Sequence, residues 1–158
     1  MIKSVRCIGG EIEDGELMVR YLQSKGLGDL LNGAIMGLPV GAIDPGQSIV
    51  CVGQLQGTSV SFQPRRLLVA SFDLYNPLNE IRDGILVEDF KIGKNSQFHT
   101  VENIDAWSAE RLAPDRVAPH LKFDLLHPMT IASIFYRSTH ADKRVLVRAA
   151  LIGTIREN

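Results

Sequence analysis

Cysteine is scarce in this chain: Cys7 and Cys51 are the only two among 158 residues. They form no Cys-x-x-Cys pair, which removes the spacing of zinc and redox motifs. Val5 and Ile8 flank the first, Val50 and Val52 the second, so both read as small buried hydrophobes. A Cys7–Cys51 disulfide stays open and would belong to an oxidising compartment. An excess of either charge is also missing. With 17 Lys and Arg against 18 Asp and Glu, the net charge is −1. Such a balance gives no strong nucleic-acid signal, because no field holds a phosphate backbone along a whole face. It also leaves little repulsion between copies. No apolar run approaches the ~20 residues that a membrane-spanning helix needs. Met1-Ile2-Lys3-Ser4 does not open a signal peptide, since acids follow at Glu11, Glu13 and Asp14. Synthesis in the cytoplasm is the expectation. Aromatics are few, with 1 Trp, 3 Tyr and 6 Phe, so platforms for stacking bases are sparse.

Catalytic patterns are missing as well. The four histidines, His99, His120, His127 and His140, form no His-x-x-x-His pair, so no metal site is expected. There is no Gly-x-Ser-x-Gly elbow. Gly26-Leu27-Gly28 is followed by Gly33, which is not where a dinucleotide fingerprint needs its third glycine. Glu88 and Asp89 are adjacent. On a regular strand they point to opposite faces, and only a bulge would put both on one side. The expectation is a non-enzyme with no catalytic residue and no cofactor.

What is present belongs to a packing module. Hydrophobic residues make up 45% of the chain, and the length suits one compact domain. Residues 14–25 predict a helix with Asp14 as cap, apolar pairs Leu17/Tyr21 and Met18/Leu22, and Gly26 as stop. Residues 30–43 then carry no charge and are rich in glycine, and Leu27, Leu30, Leu31, Ala34 and Ile35 follow helical spacing. The chain divides into residues 1–46, a helix with a glycine-rich apolar arm, and residues 47–158, a sandwich. The arm either packs on its own domain or docks on a neighbouring subunit or a membrane face. In the docking reading Leu27, Leu30, Leu31, Ile35, Met36 and Leu38 are the assembly contacts.

From residue 47 the pattern turns to strands. Residues 48–53 and 58–62 read as a hairpin, 66–72 as a third strand, and 85–92 as a fourth with Leu86, Phe90 and Ile92 on one face. Residues 98–120 form a long polar connection. Residues 122–126 follow as a short strand, then 129–136 and 143–155 as a closing hairpin, with Val145, Val147, Ala149 and Leu151 facing one way. Strands without alternating helices predict a mostly β fold: an antiparallel β-sandwich, jelly-roll-like, with a short N-terminal helical arm.

The uncharged arm at residues 30–43, the strand at 66–72, the run at 85–92 with its Lys94-Asn95-Ser96-Gln97 turn, and the closing pair at 129–155 together resemble small single jelly-roll or β-sandwich coat proteins of icosahedral viruses. The resemblance implies many copies assembled into a shell, with arms touching neighbours, and a virion as the place of action. The highly basic arm of nucleic-acid-packaging coats is missing. The leading expectation is a self-assembling structural protein whose partners are copies of itself and other particle proteins. Two alternatives stand beside it. One is a ligand- or carbohydrate-binding module built on the 99–120 loop with His99, Trp107 and His120. The other is an enzyme whose site only the fold assembles. A basic group of Arg137, Lys143, Arg144 and Arg148 around the closing strands is a candidate anion patch.

Overall fold

The computed structural model describes residues 6–8, 12–24, 26, 33–55, 60–76, 79–81, 84–98, 104–105 and 122–157. In chain order its elements are β1 (Arg6–Cys7), α1 (Ile12–Ser24), β2 (Ala34–Ile43), β3 (Ser48–Gln54), β4 (Val60–Asp73), β5 (Ile85–Ile92), β6 (Asn95–Ser96), β7 (Ile104–Asp105), β8 (Ile131–Ser138) and β9 (Val145–Glu157). They form two sheets. Sheet A has the order β1-β2-β9-β4, and sheet B the order β3-β8-β5-β6 with β7 also on β5.

The pairing is nested. β2 pairs with β9, β3 with β8, and β5 with β6, all antiparallel. Between them, Phe62 of β4 bridges Leu126 in antiparallel fashion. The first strands of the sandwich thus pair with the last in reverse order, as in a long hairpin wound on itself. This is the jelly-roll winding, and the expected fold class is correct.

Alternation along each strand builds the core. Met36, Leu38 and Ile43 of β2, Leu67 and Val69 of β4, and Val145, Val147, Ala149 and Leu151 of β9 turn inward from sheet A, where all are buried. Ile85, Val87, Phe90 and Ile92 of β5 and Ile134 and Tyr136 of β8 meet them from sheet B. Helix α1 covers the outer face of sheet A. Met18 and Leu22 are buried there, and Tyr21 meets Phe72 edge-on at 5.6 Å while donating to Glu80 Oε1 at 2.7 Å. Leu67, Leu68, Val69 and Ala70 are consecutive and all buried because β4 has cover on both faces.

Several readings of the sequence change here. Residues 34–43 are a strand paired along its length with β9 and, at Ala34 and Ile35, with β1, so the boundary after residue 46 does not separate an arm from a sandwich. Of the helically spaced residues, Ala34 and Ile35 lie in this strand, whose first five residues are buried on both faces and so lose their alternation, while Leu27, Leu30 and Leu31 lie outside the described residues. Strands 48–54 and 60–73 do not pair; they lie in different sheets, as do β8 and β9, so neither predicted hairpin exists. The 14-residue strand β4 looked like two because it contains Pro64. The chain accommodates that proline at a register shift between Pro64 and Arg66, the place where a strand tolerates a missing N–H. β5 carries another shift between Val87 and Asp89. The shift reverses the inward set, so Leu86 faces out and Ile85 and Val87 face in. Asp14 lies inside the first turn of α1 rather than ahead of it, while Gly26 closes the helix at φ 71° as expected.

Candidate interaction surface

The outer face of sheet B has no helix over it among the described residues. Its rows follow from the register: Val50 lies opposite Phe135, Val52 opposite Ser133, and Gln54 opposite Ile131. Val50, Val52 and Ile131 are 49%, 46% and 42% exposed. Next to them Met129 is 59% exposed. Phe135 is half-buried, in part beneath Lys91, whose Nζ stands 5.3 Å from the ring centre. Together these side chains make an apolar stripe along one margin of the sheet, the kind of surface that marks an interaction site when contiguous.

Met129 is there against its backbone preference. It adopts φ 72°, where glycine is favoured and a branched or bulky side chain is strained. Pro128 precedes it, and Thr130 N–H donates to His127 O at 3.0 Å, which closes a tight turn. Met129 N–H donates to Leu55 O, and Gln54 Nε2 donates to Met129 O at 2.9 Å, so the turn is tied to the end of β3.

Among the described residues the margin itself is an open strand edge. Gln47 O accepts from Ser138 N–H at 2.9 Å, and Leu55 N–H donates to Thr130 O at 3.0 Å. Odd-numbered residues of β3 therefore turn their peptide groups toward β8, and Ser48, Val50, Val52 and Gln54 turn theirs away from the sheet. Edges elsewhere are covered in part or interrupted: β1 reaches only Ala34 and Ile35 of β2, and the rest of that margin carries Pro39 and a register shift between Leu38 and Gly41. β1, β6 and β7 are only two residues long each. At one end of β4, Phe62 and Leu126 exchange two bonds of 2.8 Å; at the other, Ile81 N–H donates to Ser71 O and Asp73 N–H to Asn79 O, both at 2.9 Å. Pro64 and Arg65 lie between these ends. β3 has no proline, no charge and no register shift over its seven residues. Those are the devices that usually keep an edge from pairing.

Beyond the stripe, the bulge in β5 puts Glu88 and Asp89 on the same outer side. Arg137 Nε stands 3.1 Å from Glu88 Oε1 as a half-exposed ion pair. Asp89 Oδ1 accepts from Ser96 Oγ at 2.6 Å and from Phe90 N–H at 2.8 Å. Both carboxylates are thus held by structural partners. Gln97, completely buried, locks the far side of sheet B. Its Nε2 donates to Asn95 O at 3.0 Å and to Asp124 Oδ2 at 2.9 Å, and its Oε1 accepts from Asp124 N–H at 2.7 Å. That spends Asp124 on structure, and His127 is exposed.

The remaining sequence candidates fall in three places. Ile35, Met36 and Leu38 are fully buried inside β2, so they contact their own core rather than a neighbour. Leu27, Leu30 and Leu31 lie outside the described residues, as do His99, Trp107 and His120. The basic group does not converge. Arg137 is on the outer face of sheet B, while Arg148 sits opposite Ala70 on the outer face of sheet A, because the link after β8 crosses between sheets. Arg144 is held at the sandwich end by Tyr75 Oη at 3.2 Å and Asp44 Oδ1 at 2.6 Å. Those two partners, Tyr75 first, push its pKa further up. Lys143 is exposed beside it. Cys51 is buried between the sheets.

Among the described residues no cluster of three His, Cys, Asp or Glu side chains gathers as a metal site, and no helix is long and apolar enough to cross a membrane. No family model, no curated protein and no solved structure matches the chain.

Sequence reasoning missed the stripe for a physical reason. Residues 49–52 are apolar at every position, Ile-Val-Cys-Val, so the run reads as a strand buried on both faces. Only the sheet order shows that one of those faces is open.

Proposed function

We propose that the protein is a self-assembling structural subunit, a coat-type building block of a virion or similar particle that contacts copies of itself and other particle proteins. The observation that carries the reading is the apolar stripe Val50, Val52, Ile131 and Met129 beside an unguarded strand edge. Exposing it costs solubility, and a partner surface removes that cost. The nested strand pairing agrees with the resemblance to coat proteins and supports it as fold analogy, since the same winding also serves lectins and cupins. The near-zero net charge favours close packing of copies.

Light scattering after size exclusion, with negative-stain imaging of any large species, tests the proposal. The expected result is a defined species heavier than the 17.4 kDa chain that grows with concentration. Val50→Asp and Val52→Asp together should shift it to monomer with an unchanged circular dichroism spectrum. A wild-type monomer at every concentration would overturn the reading.

A further inference from the structure

We propose that two copies of the chain join through their β3 strands, paired antiparallel about a two-fold axis at Cys51, to make one continuous sheet from two copies of sheet B. The inference rests on the self-assembly reading and gives it a geometry.

The peptide groups that face away from the sheet belong to Ser48, Val50, Val52 and Gln54. In an antiparallel ladder the outward groups of one strand must meet outward groups of the other, two bonds at each alternate pair. One two-fold register uses all of them: Ser48 meets Gln54 of the second copy, Val50 meets Val52, Val52 meets Val50, and Gln54 meets Ser48. Residue 51 then lies on the axis. No other register about a two-fold axis engages every outward group, so length and parity select this one.

A second copy is the occupant because the edge suits itself. A two-fold axis brings a strand against its own sequence, so a charge near the axis would face its like. Ser-Ile-Val-Cys-Val-Gly-Gln has none. The exposed side chains also match. Val50 and Val52 project from the same outer face, and the register sets them beside Val52 and Val50 of the other copy, so each covers apolar surface now 46–49% exposed. The stripe then runs unbroken from Ile131 and Phe135 of one copy to those of the other. β3 keeps an uninterrupted register to β8, so no bulge stops a second strand from following it along its whole length. Among the described residues the other margins are short, partly bonded, or interrupted by a proline and a register shift, at Pro39 in β2 and Pro64 in β4.

Site-directed disulfide trapping reads the register directly. Val50→Cys and Val52→Cys are made as separate full-length proteins, mixed, and oxidised mildly, with peptide mapping of the product. The expected product is a covalent dimer joining position 50 of one chain to position 52 of the other, formed in the mixture and not by either variant alone. A companion variant, Val52→Pro, removes an outward N–H that its own sheet does not use, so the domain should fold. It should weaken the dimer at least roughly tenfold. If the wild type associates but the mixture gives no 50–52 bond and Val52→Pro associates normally, the β3 geometry is wrong while self-assembly stands. If the wild type is a monomer, both fall.

Discussion

At the residue scale, Tyr136 shows how much the core depends on neutral groups. Its ring is completely enclosed between the sheets, and burial first, then the neighbouring Cys51 thiol, raises the phenol pKa well above its usual value. The unfolded chain ionises this phenol at about pH 10. The folded chain does not. Above that pH the unfolded state holds fewer protons, so stability is complete below about pH 10 and falls as pH rises beyond it. Urea midpoints taken at about pH 8 and pH 10.5 should therefore differ more for the wild type than for Tyr136→Phe. Equal losses in the two proteins would refute the assignment. Little of this was legible beforehand. In sequence Tyr136 is one aromatic in an alternating run, and its burial follows from β8 being an interior strand of sheet B, which no local pattern states. Met129 was equally hidden, because a positive φ at a non-glycine residue has no signature of its own.

At the element scale, the sharpest revision concerns β2. An uncharged, glycine-rich segment looked separable, yet it forms a strand of sheet A paired along its length with β9, and its Ile35, Met36, Leu38 and Ile43 are fully buried. Burying one large apolar side chain stabilises a fold by about 1.5–3 kcal/mol. Four such residues, with Met18 and Leu22 of α1, match the whole ~5–15 kcal/mol stability of an ordinary domain. Deleting residues 1–46 should accordingly leave a chain with no cooperative thermal transition. A sharp melt of the truncated protein, followed by near-ultraviolet circular dichroism, would show the segment to be dispensable. Strand existence was readable from alternation at Val145, Val147, Ala149 and Leu151, where one face meets the core. Strand partners were not. Proximity in sequence led to hairpins at 48–62 and 129–155, whereas the chain sends β3 and β4, and again β8 and β9, to opposite sheets. The bulges at Pro64 and Val87 reset the face count, and a period-of-two reading cannot anticipate them.

At the scale of the whole molecule, the proposed association has an electrostatic signature. Contacts made by an uncharged strand and apolar side chains gain nothing from opposite charges, so screening has little to act on. The dimer constant should stay within about twofold between roughly 0.05 and 0.5 M salt. A steep loss of affinity over that range, measured by sedimentation equilibrium, would instead assign the contact to Arg137, Lys143 or the other charged groups. The nested pairing has a further consequence, in time rather than space. β9 is the last strand in chain order, yet it lies between β2 and β4 and bonds to both. A ribosome adds residues at about 5–20 per second, so some seconds separate the appearance of β2 from that of β9. Throughout that interval neither β2 nor β4 has β9 beside it. Sheet A closes only after the strand at its centre has been made, and a nascent chain stalled before residue 145 would present two bare edges to whatever lies nearby.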